Sequence, residues 1–279
     1  MMASLPLEEM VEQARDGNKA ALENVIEQVQ GRIYGLAIRM LWHPEDARDA
    51  TQEILIRIIT HLGDFQRQSA FMTWAYRVAA NYLSTMRKGR LEQQGYTFVR
   101  FANELDEGLS DSLVESESKA DHDLLLAEIR IGCTLGMLLC LDRPHRLAYI
   151  LGEIFELDGA EAAKVLGIAT PAFRKRLSRA RQAIIAFMAA KCGLADPENR
   201  CRCHRRAAAA LDSKRADRRR LLFADNAEQA AKFPEVLTAI RNLRNGQRAV
   251  AIYRSHPEFA PPAGFASWVR NLVDQTISL

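Results

Sequence analysis

The segment DGAEAAKVLGIATPAFRKRLSRARQAI sets cations at helical spacing behind a sharp turn, an arrangement suited to grasping a polyanion. Asp158 followed by Glu161 forms a capping box, Ala162, Val165 and Leu166 supply an inward stripe, and Gly167 can take the left-handed conformation that ends a helix. Thr170 is a suitable N-cap and Pro171, followed by Ala172, a suitable first helical residue, so a second helix starts at once. This is helix-turn-helix spacing. On the second helix Phe173, Leu177, Ala180 and Ile184 share one side. Lys175, Ser178, Arg179 and Gln182 take the other, flanked by Arg174, Arg176 and Arg181. Such cations neutralise phosphates, and those near the helix start reach base edges in the major groove. The plainer alternative is a solvated basic face on a packed helix.

A second group lies in FQRQSAFMTWAYRVAANYLSTMRKGR. Trp74, Ala75, Val78, Tyr82 and Met86 form an apolar side, with Tyr76, Arg77, Ser84, Arg87 and Lys88 facing out and Phe65, Gln66, Arg67 and Ser69 just upstream. Interleaved rings and cations suit unstacked bases and a single-strand backbone. Trp74 and Tyr82 can instead be core, the favoured reading for Tyr82. The helix from Pro44 turns Ala47, Ala50, Ile54 and Ile58 inward and Asp49, Gln52, Glu53 and Ile56 outward. An acidic face of this kind suits a protein partner more than DNA, although periodicity alone favours a solvated face.

KCGLADPENRCRCHRR gathers Cys192, Cys201, Cys203 and His204 within one loop. Four soft or borderline ligands could make a tetrahedral zinc site, but no C-x-x-C knuckle is present and adjacent Cys203 and His204 strain a shared ion. The neighbouring arginines would raise the thiolate fraction, so a redox switch is an alternative, as is a structural cluster. Arg200 to Arg220 could also clamp a nucleic-acid backbone. No cofactor is required by anything else in the chain. Paired nucleophile and base, a phosphate-binding glycine loop and convergent carboxylates are missing from the pattern, so no enzyme is expected.

The net charge of +3 is small, but it is unevenly placed. Glu104, Asp106, Glu107, Asp111, Glu115, Glu117, Asp121 and Asp123 crowd one stretch that also holds Ser110, Ser112, Ser116 and Ser118, whereas 174–220 is strongly basic. Apolar spacing is helical almost throughout, so the fold is expected to be all-α. Helices are expected over Leu7–Asp16, Lys19–Leu41, Pro44–Gly63 and Phe71–Arg90, forming a domain over 1–92. An acidic flexible linker follows over 93–122, then a helix-turn-helix domain over 123–190. A Cys- and Arg-rich, partly helical extension completes the chain over 191–279; its helices after Asn226 suggest control of access to the other domains. The N-terminus MMASLPLEEM lacks the form of a secretory leader, and no apolar run approaches the roughly 20 residues of a membrane span. A soluble, cytoplasmic protein is expected.

These blocks, in this order, resemble the extracytoplasmic-function branch of the sigma-70 factors. DARDATQEILIRIITHLGDF is similar to that family's polymerase-binding block, FQRQSAFMTWAYRVAANYLSTMRKGR to its minus-ten and melting block, and FELDGAEAAKVLGIATPAFRKRLSRARQAI to its minus-thirty-five block. The resemblance covers roughly the first two thirds of the chain. It implies two helical sigma domains (region 2 and region 4) and promoter-directed transcription initiation. It also implies core RNA polymerase and promoter DNA as partners, and an anti-sigma factor as a possible third. By position, Asp46, Asp49, Gln52, Glu53 and Arg57 match the face that meets the clamp helices of the largest polymerase subunit. Phe65, Gln66, Arg67 and Ser69 match the loop holding an extruded minus-ten base, and Trp74, Arg77, Asn81, Arg87 and Lys88 the helix gripping the opened strand. Thr170, Pro171, Ala172, Arg174, Lys175, Ser178 and Arg179 match the reader of the upstream element, although the family often has a Ser, Gly and Thr run before it. The alternative is an operator-binding helix-turn-helix regulator, which leaves the first domain unexplained.

Overall fold

The computed structural model of the chain describes residues 6–93, 95–111, 114, 116–261 and 264–277; Ser112 and Glu115 of the acidic stretch lie outside them. The described residues form helices joined by turns and loops, as the apolar spacing predicts, with one isolated bridge between the backbones of Cys192 and Cys201. In chain order the helices are α1 (Leu7–Arg15), α2 (Lys19–Leu41), α3 (Pro44–Thr60), α4 (Phe71–Thr85), α5 (Arg90–Gln93), α6 (Phe98–Glu107) and α7 (Lys119–Leu139). They continue as α8 (Arg143–Tyr149), α9 (Gly159–Leu166), α10 (Thr170–Lys191), α11 (Ala207–Asp212), α12 (Ala227–Arg241), α13 (Asn245–Arg254) and α14 (Phe265–Ile277). No described helix is long and apolar enough to cross a membrane.

Two compact units result. The first holds 1–87, 157–173 and 258–279; the second holds 88–156 and 174–257. This division cuts across the domains expected from sequence, because 157–173 and the last helix join the first unit and the boundary falls inside α10.

In the first unit α2 is the central element. Asn18 caps it through Ala21 N–H at 3.1 Å, and Val25, Ile26, Val29, Ile33, Leu36 and Met40 are fully buried. Pro44 occupies the first turn of α3 with Glu45 and Asp46 beside it, where a fixed φ and negative charge both favour a helix start. Ala47, Ala50, Ile54 and Ile58 all face the core, as their spacing predicts. α3 and α4 pack on α2 and on each other, and α14 also lies on α2. There Val269 and Val273 are buried, Asp274 ion-pairs with Lys19, and the Arg39 guanidinium sits 4.6 Å from the centroid of the Phe259 ring.

The second unit is built around α7, where Leu125 and Ile129 pack with Ala207, Ala210 and Ala216. Removing each such Leu or Ile side chain from water contributes about 1.5–3 kcal/mol. The acidic stretch expected as a flexible linker instead contains α6, with Phe101 and Leu105 buried. Its acids are matched by the basic tail. Glu104 receives Arg215 at 2.5 Å, Asp106 receives Lys191 at 2.6 Å, and Asp111 pairs with Arg205. Buried Arg206 donates to the carbonyls of Glu104 and Leu105 at 2.9 and 3.1 Å. Several basic residues read as a nucleic-acid clamp therefore neutralise the chain's own acids.

Candidate nucleic-acid interface

On α3, Asp46, Asp49, Glu53 and Arg57 are exposed and Gln52 is half-buried. Arg48 bridges Glu45 at 3.0 Å and Asp49 at 3.1 Å, so part of the acidic face is already compensated. Arg57 reaches the other way, its guanidinium 5.0 Å from the Tyr82 ring centroid on α4. Tyr82, expected in the core, is half-buried beneath that cation.

The loop before α4 is anchored by aromatic packing. Phe65 is 2% exposed and meets Phe71 edge-on at 5.3 Å and Trp74 at 5.7 Å. It is therefore a support, which corrects the expectation that its ring is available to an unstacked base. Gln66 and Arg67 are exposed and Ser69 half-buried; Arg67 adopts φ 55 and donates from Nε to Glu12 at 2.6 Å, tying the loop to α1. Two cavities open beside this anchor. One, of about 450 Å³, is lined by Arg57, His61, Trp74, Arg77, Asn81 and Tyr82 among others. The other, of about 460 Å³, is lined by Gln66, Ser69, Thr73, Trp74, Arg77 and Lys164 among others. Trp74 and Arg77 line both, so a half-buried indole and an exposed cation stand between two hollows of polar rim. Asn81, Arg87 and Lys88 are also exposed.

Tyr76, expected on the outer face, is buried at 6%, and burial pushes its hydroxyl up to about 12 despite the nearby charges of Arg32 and Arg39. Both α2 and α9 pack on α4 within the same unit, and Arg32 and Arg39 of the first and Glu161 of the second lie near the Tyr76 hydroxyl. Thr73 Oγ1 donates to Glu161 Oε1 at 2.6 Å. Glu161 consequently does not complete the expected reciprocal capping box, although Asp158 does accept from Ala160 and Glu161 N–H at 2.7 and 2.9 Å.

The turn after α9 follows the sequence reading at Gly167, whose φ is 62. The start of α10 differs by one residue: Ala169 carbonyl accepts from Ala172 and Phe173 N–H at 2.9 and 3.1 Å, so Ala169 holds the cap position and Thr170 is already helical. Pro171 is exposed and Ala172 half-buried. Phe173, Ala180 and Ile184 are buried while Arg174, Lys175, Ser178 and Arg179 are exposed, which reproduces the expected two faces. Arg181 is engaged by Glu153 at 2.8 Å from its Nε.

In the cysteine loop His204 is exposed, and among the described residues no three His, Cys, Asp or Glu side chains are grouped to hold a metal ion. Cys192, Cys201, Cys203 and His204 therefore do not form the tetrahedral set that their types allow. Burial also pushes Cys201 up to about 11 and Cys203 up to about 12, against the lowering expected from neighbouring arginines.

Comparison with known proteins identifies the family. Residues 25–90 match the model of sigma-70 region 2. The RNA polymerase sigma-H factor of Pseudomonas aeruginosa is 30% identical over 181 residues, covering 63% of this chain and 91% of that protein. The ECF RNA polymerase sigma factor SigW of Bacillus subtilis is 26% identical over 179 residues, covering 64% and 94%. The ECF RNA polymerase sigma-E factor of Escherichia coli is 26% identical over 177 residues, covering 63% and 90%. Nearly the whole of each relative is spanned, and the chain belongs to the extracytoplasmic-function sigma factors of the sigma-70 family.

Proposed function

We propose that the chain docks on core RNA polymerase through the outer face of α3, holds the opened minus-ten strand on the loop 65–69 and α4, and reads the upstream duplex with α10. The observation that carries this reading is the placement of Trp74 and Arg77 between two cavities, adjacent to Arg57 at the end of the acidic face. Rings take unstacked bases and cations take the strand backbone. The test is reconstitution with sigma-free core polymerase on candidate promoters. Specific transcripts are expected from the native chain. A double Asp49→Ala, Gln52→Ala variant should keep its helical content and lose transcripts by at least about tenfold, since a central interface contact is worth more than 1 kcal/mol. Tight duplex binding without initiation would assign an operator-binding regulator instead.

The contact between α9 and α4 has a further consequence for this reading. Lys164 lines the same cavity as Gln66, Ser69, Trp74 and Arg77, and Glu161 places a carboxylate at Thr73, so α9 and a phosphate backbone compete for one surface. A hydrogen bond to a charged group is worth about 1.5–3 kcal/mol. Glu161→Ala should therefore raise the free chain's affinity for a single-stranded minus-ten oligonucleotide by roughly tenfold, read by fluorescence anisotropy. An unchanged affinity would show that α9 does not stand in the way.

A further inference from the structure

Within the second unit, the buried cation Arg130 makes no ion pair among the described residues. Arg130 on α7 is 4% exposed, and its Cζ lies 3.3 Å from the centroid of the Phe233 ring on α12. Its Nε and Nη1 meet no hydrogen-bond acceptor among the described residues. Burial lowers its pKa to about 10, which still leaves it charged near neutrality. Three groups that could compensate it do not. Glu128 accepts the N–H groups of Leu222, Phe223 and Ala224 at 2.8, 2.8 and 3.0 Å. Burial holds the Cys203 thiol protonated. Asp123 shares the lining of the adjoining cavity but stands seven positions earlier on the same helix, about 10 Å away along the axis, and makes no ion pair with Arg130. The contact with Phe233 recovers about 2 kcal/mol when desolvated, whereas an uncompensated buried charge costs several.

Arg130 also lines a cavity of about 230 Å³ whose walls are largely apolar: Leu126 and Ala127 from α7, Leu194 from the cysteine loop, and Ala230, Phe233 and Leu237 from α12. Arg202 and Arg241 lie on its lining as well, with Asp123 as the one carboxylate among the lining residues, so the site carries an excess of positive charge on largely apolar walls. Water alone is a poor occupant, because a solvent molecule needs two or more polar partners. An apolar cavity of about 150 Å³ accommodates benzene, so this one has room for a ring with a short acid arm or a chain of about eight carbons.

We propose that this cavity binds a small hydrophobic carboxylate, its acid group pairing with Arg130 and its apolar body lying against Leu126, Leu194, Phe233 and Leu237. Because α7 and α12 both line the cavity, the ligand fastens the tail helix to the helix around which the second unit is built. None of this depends on how the chain engages polymerase or promoter.

The experiment is isothermal titration calorimetry and thermal unfolding of the full chain with phenylacetate and octanoate. The neutral matches are 2-phenylethanol and 1-octanol, and acetate serves as the charge without the body. Saturable binding of at least one acid is expected, with its alcohol weaker by roughly 10- to 100-fold, the range of a charged hydrogen bond. Arg130→Gln should abolish that preference. Ala230→Leu, which keeps Arg130 and fills the cavity from a buried position, should block binding and so decides the matter even if Arg130→Gln does not fold. The proposal is overturned if alcohols bind as tightly as acids, if neither acid binds at millimolar concentration, or if Ala230→Leu leaves the affinity unchanged.

Discussion

Replacing Glu92 with alanine should lower the unfolding free energy by about 3–5 kcal/mol, the usual consequence of removing one partner from a buried ion network. Glu92 bridges two buried arginines. Arg143 donates to it from Nε at 3.1 Å and Nη2 at 2.7 Å, and Arg146 from Nη1 at 2.9 Å. The three side chains are 8%, 10% and 2% exposed. Arg146 also donates from Nε to the carbonyl of Leu138 and from Nη2 to those of Leu139 and Leu141, so it cannot turn to solvent without breaking the end of α7. Chemical denaturation followed by far-ultraviolet circular dichroism measures the change. Glu92→Gln should be nearly as damaging, because an amide fills the space but leaves both cations uncompensated. A loss below about 1 kcal/mol in both variants would mean that the arginines find other acceptors.

The same network gives a pH dependence with a definite sign. Burial alone would raise the Glu92 carboxyl, but the hydrogen bond from Arg143 and the charges of Arg146 and Arg143 outweigh it, and the folded pKa lies below the ordinary glutamate value. The unfolded chain therefore binds the proton more readily. The contribution of Glu92 is fully present above that unfolded value and disappears as pH falls through the lower folded one. Native protein should lose stability over this acid window, and Glu92→Gln should lose less over it.

Much of the interface was readable because it is local. Asp158, Gly167 and the stripe Phe173, Ala180, Ile184 specify a capped helix, a left-handed turn and a two-faced helix without help from distant residues. The α3 stripe is equally self-contained. Two misreadings are local, Thr170 missing the cap by one residue and Phe65 being buried by Phe71 and Trp74, and the others involve partners far along the chain. Tyr76 looked outward because two of the surfaces near it, marked by Arg32 and Arg39 on α2 and by Glu161 on α9, are supplied by other helices. The acidic stretch looked self-repelling because Lys191, Arg205 and Arg215, which neutralise it, lie about a hundred residues later. Opposite charge runs that each look disordered alone can fold against one another, and the inventory of charges in the sequence contained that possibility without the pairing. Arg130 carries no sequence signal at all, since its isolation is visible only once the neighbouring acids are seen to be occupied.

Phe71→Ala should have an effect as large as the loss of Glu92 and should strike function directly. Phe71 is fully buried and touches Phe65 edge-on at 5.3 Å and Trp74 at 5.5 Å. Truncating a buried Phe costs about 3–5 kcal/mol, partly through the cavity left behind. That cavity would open under the ring that anchors the loop 65–69 and under the indole that lines both hollows. Gln66, Ser69 and Trp74 would then no longer be held in place before DNA arrives, and ordering them would be charged against binding. At a temperature where the variant remains mostly folded, promoter opening, scored by permanganate reactivity of unpaired thymines, should fall by at least about tenfold. Binding of duplex carrying only the upstream element should be retained, because Lys175, Ser178 and Arg179 stand on a different helix. Phe71→Leu, which keeps most of the volume, should recover much of both stability and opening. Equal losses of strand opening and upstream-duplex binding would instead show that Phe71 supports the fold without any special bearing on the strand-gripping surface.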